Sequence, residues 1–225
     1  MSLEQIQAAY ARRPAVDPRY HPLNPAQLHA LQERESVLAS LLRRHGWTDT
    51  AELRIAELGC GAGGNLLGLL RLGCRAEMLT GVELLPERFA LARSQLPAAV
   101  HLLQGDARTA PVEAGSQQLV LMATVLSSVL DDGLQQQLAD AAWRWLQPGG
   151  AILAYDFAVD NPANPDVRGV PPARWRQRFP QAIDVDVRRL TLAPPLARRL
   201  PAWAIPLFHA LPPLRTHRFL HLRKP

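Results

Sequence analysis

The feature that most constrains this chain is a short, mostly apolar run, Leu53 to Leu58, that passes directly into Gly59-Cys60-Gly61-Ala62-Gly63-Gly64. A helical pattern resumes from Asn65 to Leu72. Glycines placed directly after a strand let the backbone turn tightly and come close to a ligand. The helix that follows presents its free N–H groups to the same place. Gly59, Gly61 and Gly64 satisfy G-x-G-x-x-G, and Glu83 stands at the end of the next strand-like run, Met78 to Glu83. A carboxylate at that distance accepts hydrogen bonds from ribose hydroxyls. These features alone admit either a nicotinamide dinucleotide or S-adenosylmethionine.

The rest of the pattern predicts an α/β fold with a doubly wound sheet. A helix is expected over Pro25 to Gly46, where leucines recur at helical spacing. Another is expected over Pro86 to Leu96, with Pro86 suited to its first turn. Val100 to Gln104 reads as the third strand and Leu119 to Ala123 as the fourth. Leu134 to Leu146 reads as a helix, and Gln147-Pro148-Gly149-Gly150 as a turn into a fifth strand, Ala151 to Tyr155. Strand and helix alternating in this way give a parallel sheet covered on both faces, with the ligand at the C-terminal ends of the strands. After Asp156 the alternation stops. A short helix is expected at Pro172 to Phe179, and antiparallel strands at Ile183 to Leu192 and Thr216 to Leu222. The organisation expected is an N-terminal helical cap at 1–50 and a main domain at 51–225, with a Pro/Arg-rich insertion at 193–215.

Composition excludes several classes. The chain has 225 residues, 48% hydrophobic and 20% charged, so it buries a full core and is neither disordered nor a disulfide scaffold. Its two cysteines, Cys60 and Cys74, form no zinc spacing and suit a reducing cytosol. Residues 1–10 lack an apolar signal core, and the apolar stretch Leu200 to Leu214 is broken by prolines. The expected location is cytoplasmic, with peripheral membrane contact through a basic tail. From Val167 onward there are twelve basic residues and two acidic ones, Asp184 and Asp186. Such a tail fits an anionic partner, or reflects only a general use of arginine.

Four motifs occur in order: Glu57-Leu58-Gly59-Cys60-Gly61-Ala62-Gly63, Glu83, Gly105-Asp106-Ala107 and Leu146-Gln147-Pro148-Gly149-Gly150. Over about residues 50 to 160 the chain resembles the class I S-adenosylmethionine-dependent methyltransferases, especially bacterial ones similar to the quinone-biosynthesis (type 11) group. The resemblance implies a seven-stranded, mostly parallel sheet with an antiparallel C-terminal pair, and S-adenosyl-L-methionine as cofactor. It implies that Glu57, Gly59, Cys60, Gly61 and Gly63 line the methionine and ribose part, and that Glu83 holds the ribose. Leu84 would pack on the adenine, Asp106 and Ala107 would read its edge, and Ala123 and Thr124 would close the pocket near the methyl group. Arg34 is read as part of a solvated helix face, with pairing to the cofactor carboxylate as its alternative.

The acceptor is less legible. No Asn/Asp-Pro-Pro-aromatic run and no Pro-Cys nucleophile follow the fourth strand, where Ala123-Thr124-Val125-Leu126-Ser127-Ser128 stands. That points away from amino-group and cytosine-carbon acceptors and toward oxygen of a small metabolite, glycan or lipid-linked precursor. Asp156, ending the fifth strand, is the expected proton acceptor. Tyr20, His21, Asn161 and Arg168 are expected to bind substrate from loops. No metal is expected, because Asp131 and Asp132 start a helix. Nucleic acid is the alternative partner, motivated by the basic tail, although no recognition module is found. A non-catalytic cofactor-binding module is the other alternative. The 193–215 insertion is read as a lid, a copy-to-copy contact or a membrane-facing element.

Overall fold

The computed structural model describes residue 8 and residues 18–225 except 22, 162 and 163. Much of the expected N-terminal cap (residues 1–7, 9–17 and 22) lies outside the described residues.

The first long helix, α1 (Pro25–Arg44), starts where Asn24 accepts from the N–H groups of Ala26 and Gln27, with Pro25 at its first position. It ends at Gly46, which takes φ +81°. The alternating part then runs β1 (Ile55–Leu58), α2 (Gly64–Arg71), β2 (Leu79–Glu83), α3 (Pro86–Gln95), β3 (His101–Gln104), β4 (Gln117–Ala123), α4 (Asp132–Trp145) and β5 (Leu146–Phe157). The C-terminal part is α5 (Pro172–Arg178), β6 (Ile183–Leu192), α6 (Pro194–Ala197), α7 (Ile205–His209) and β7 (Arg215–Arg223).

The seven strands form one sheet in the order β3-β2-β1-β4-β5-β7-β6. The pairs from β3 to β5 are parallel, and β7 runs antiparallel to both β5 and β6. β1 is buried at every residue, as a central parallel strand covered on both faces must be. One core lies on the face of Ala56, Leu58, Met122 and Ala154, closed by Leu138, Trp145, Trp175 and Phe179. The other lies on the face of Ile55, Leu121, Leu153 and Phe219, closed by Leu41, Leu66 and Leu69. The expected turn at 147–150 belongs instead to β5. Leu146 pairs with Gln117, and a register irregularity between Gln117 and Leu119 absorbs the glycine pair.

This order puts a reversal between β1 and β4. The chain leaves β1 toward β2 and β3 on one side, and later leaves β4 toward β5 on the other. The crevice at such a reversal, at the strands' C-terminal ends, is where open α/β sheets bind ligands.

Candidate functional site

A cleft of about 730 Å3, open at its mouth, occupies that reversal point. β1 and the turn after it supply Leu58 and Gly59. β2 and α3 supply Glu83, Leu84, Leu85 and Arg88. Asp106 and Ala107 follow β3, and Ala123, Thr124 and Val125 end β4. Ser128, Val129, Leu134 and Leu138 close the far wall. The last two, four residues apart on α4, face the cleft together because that spacing shares a helix face.

Glu83 organises the turn. Its Oε2 accepts from Gly61 N–H and its Oε1 from Leu85 N–H, both at 2.8 Å. One carboxylate thus ties the glycine turn to the start of α3 and keeps lone pairs for a ligand. Gly59 sits at φ +74°, and a Cβ there would lie 2.8 Å from Val125 Cγ2. Gly63 serves packing: at φ +84° it caps α2, and a Cβ would lie 2.6 Å from Leu96 Cδ1. Neither Gly61, Gly63 nor the buried Cys60 lines the cleft. Burial and the nearby Glu57 and Glu83 charges raise the Cys60 thiol pKa.

Glu57 is wholly buried under the same turn. Asn65 donates to its Oε1, and its Oε2 has no hydrogen-bond partner among the described residues. Burial raises its pKa to about 8, against the Asn65 hydrogen bond and the Arg34 charge. A buried carboxyl oxygen without a donor is costly, and a ligand bringing a donor group relieves it.

Asp106 is held by Arg108, which donates from its backbone N–H at 2.9 Å and from Nε at 2.8 Å. Burial opposes ionisation there, but Arg108 overcomes it and keeps the Asp106 pKa below the ordinary carboxylate value. The carboxylate is therefore anionic at the cleft wall. Thr124, at φ +56°, donates its N–H to Tyr155 O.

Several expected substrate residues stand elsewhere. Asp156 does not face the cleft. It is fully buried and accepts from the N–H groups of Ser127 and Phe157, so it shapes the turn after β4. Burial raises its pKa to about 7 against those donors. Arg168 turns away to Asp132, which also receives Arg174 and Arg178. Asp131 caps α4 through Leu134 N–H, so both carboxylates are engaged. Tyr20 is exposed, with Arg19 and Arg198 near its ring, and His21 accepts from Leu23 N–H. Asn161 is exposed on the loop after β5.

Arg34 is half-buried rather than standing on a fully solvated helix face. Its guanidinium lies 5.2 Å from the Tyr155 ring centroid, and Tyr155 stacks on His217 at 5.2 Å. His217 is buried, and burial with the Arg34 and Arg218 charges lowers its pKa to about 4, so it is uncharged at neutral pH. Sequence reasoning missed Tyr155 and His217, because only the β5–β7 pairing brings them together. It also missed Gln135, a buried side chain on α4 whose Nε2 donates to Leu126 O and Val129 O at 2.8 Å each. A polar residue on the inner stripe of an otherwise apolar helix was its only signal.

A seven-stranded sheet of this order, with its ligand crevice at the reversal and its last strand inserted antiparallel, decides the architecture. The fold is that of the class I methyltransferases. An S-adenosylmethionine-dependent methyltransferase from Thermotoga maritima, described as a possible histamine N-methyltransferase, superposes with TM-score 0.69 at 16% identity, covering 98% of this chain and all of that one. A Mesorhizobium loti S-adenosylmethionine-dependent methyltransferase superposes at TM-score 0.61 and 16% identity, covering 86% of this chain. In sequence, residues 55–150 match the methyltransferase domain family. The chain is 30% identical over 116 residues to the human tRNA N(3)-cytidine methyltransferase METTL2B, a match covering 48% of this chain and 30% of the relative. It is 31% identical over 111 residues to the Drosophila melanogaster Mettl2 enzyme, covering 46% and 34%. This chain therefore aligns with only about a third of the length of these curated relatives. The methyltransferase domain and fold imply S-adenosylmethionine as cofactor. The residues present fit it: an unpartnered Glu57 oxygen, the close approach that Gly59 allows, and two carboxylates at the cleft wall.

Proposed function

We propose that the protein is an S-adenosylmethionine-dependent methyltransferase acting on an oxygen of a small metabolite, glycan or lipid-linked precursor, near the quinone-biosynthesis group in lineage. The observation that carries the reading is Glu83, which fastens the glycine turn by two backbone hydrogen bonds while standing in the wall of the cleft. The cofactor supplies an electrophilic methyl group on a sulfonium. The chain's own task is then to position and desolvate, because in-line displacement gains mainly from alignment.

In this reading Glu83 accepts from ribose hydroxyls, and Asp106 with Ala107 recognises the adenine edge. Leu84, Leu134 and Leu138 give it an apolar slot. Glu57, Asn65 and Arg34 receive the charged methionine end. Asp156 orders the Ser127 turn rather than exchanging protons with substrate. The turn after β4 lacks the Asn/Asp-Pro-Pro-aromatic run of amino-group methylation, which supports an oxygen acceptor.

The test is transfer of labelled methyl from S-adenosylmethionine to hydroxyl-bearing acceptors, with Glu83→Ala lowering the rate at subsaturating cofactor. A second reading, methylation of tRNA, is favoured by the names of the curated relatives and by the basic C-terminal region. Label appearing in tRNA and in no hydroxyl acceptor would replace the first reading with the second.

A further inference from the structure

The segment between β6 and β7 leaves and re-enters the sheet at the ligand edge, where Leu192 pairs with Arg215 and Ala193 N–H bonds Leu214 O. Its inner side is seated: Ala197, Ala204 and Ile205 are buried beside Leu192. Its outer side is apolar and open. Trp203 is 73% exposed, Leu207 63% and Leu211 52%, with Phe208 beside them. Tyr20 joins this face through Arg198, whose guanidinium lies 5.6 Å from the ring. Arg198 and Arg199 are both exposed. No acidic residue occurs after Asp186, whereas eight arginines and lysines do. Large apolar side chains clustered in the open mark a contact surface, because single exposed residues are usually scattered.

We propose that this face docks on the surface of an anionic lipid bilayer. The charge chooses the partner: exposed arginines, with no Asp or Glu after Asp186 in the sequence, complement a negative headgroup layer. The residue types fit its depth. Tryptophan and tyrosine sit at headgroup level, while leucine and phenylalanine on short helical turns enter the acyl boundary. No described helix is long and apolar enough to cross a membrane, so the contact is peripheral. The docked protein presents its ligand edge to the bilayer, which is where a lipid-linked acceptor would be met. The docking does not depend on the methyl-transfer reading, since none of these side chains lines the cleft.

The experiment is flotation of the full chain with vesicles of phosphatidylcholine alone and of phosphatidylcholine mixed with phosphatidylglycerol. The protein floats with the mixed vesicles, not with the neutral ones, and is released by high salt. Arg198→Gln with Arg199→Gln lowers the partition about 30-fold, and Trp203→Ser with Leu207→Ser lowers it at least about tenfold. Thermal stabilisation by S-adenosylmethionine, measured in each variant, shows that the fold and the cleft are intact. Equal flotation with both vesicle types, or variants that float like the wild type, would overturn the proposal. So would self-association or tRNA binding that the same substitutions abolish while no vesicle binding is seen.

Discussion

Glu83 and Asp106 stand in the same cleft but are bound differently, and their substitutions should differ accordingly. Among the described residues the Asp106 carboxylate binds only Arg108, so Asp106→Ala removes a ligand contact and frees a cation. Glu83→Ala also releases Gly61 and Leu85. Each should weaken S-adenosylmethionine binding by about 1–3 kcal/mol, and Glu83→Ala alone should also lower the unliganded melting temperature. Isothermal titration and thermal melting separate the two effects. Glu57 raises a different expectation. Its folded pKa of about 8 lies above its ordinary 4.5, so its contribution to stability is fully present below pH 4.5 and is lost as pH rises through about 8. The Glu57→Gln variant should lack this loss, which approaches about 1.4 kcal/mol per pH unit. Denaturant midpoints measured across that range check it.

At the scale of elements, the turn after β4 is the part most open to disturbance from a distance. Gln135 on α4 holds two carbonyls of that turn, and Arg178 on α5 donates to Gln135 in return. Gln135→Ala leaves Leu126 O and Val129 O without that donor. It should destabilise the fold by about 1–3 kcal/mol and weaken cofactor binding, because Val125 and Ser128 of the same turn line the cleft. Urea unfolding and cofactor titration on one variant test both halves. Elements of this kind were legible in the sequence only where periodicity is local. The strand before the glycine turn, α1 with its Gly46 end, and β6 from Ile183 to Leu192 follow from local pattern, whereas the Asn24 cap emerges only in the structure. β5 extends beyond the expected Ala151 to Tyr155, because its first residues are set by pairing with Gln117 rather than by their own composition. The Arg34–Tyr155–His217 stack was illegible for the same reason: β7 returns antiparallel beside β5, and nothing in the spacing of 34, 155 and 217 records it.

At the scale of the whole molecule, opposing buried charges set the pH range. Asp156, raised by burial to about 7, behaves like Glu57: its contribution is present below pH 3.8 and fades as pH rises through 7. His217 and His221 are lowered by burial to about 4, so their contribution is present above pH 6.5 and is lost as pH falls toward 4. The two sets offset one another between about pH 4.5 and 6.5, and above that the acids alone act. Stability should therefore decline from pH 6.5 to 8, a decline that thermal melts at closely spaced pH values would register and that Glu57→Gln should reduce.

Cofactor identity is tested most directly by the melting temperature of the full chain with S-adenosylmethionine, S-adenosylhomocysteine, NAD and no ligand. Ligand at about 100 times its dissociation constant stabilises by about 2.7 kcal/mol. The melting temperature should rise with both adenosyl compounds, not with NAD, and less in Glu83→Ala at the same concentration. A rise with NAD alone, or an undiminished rise in Glu83→Ala, would contradict that expectation.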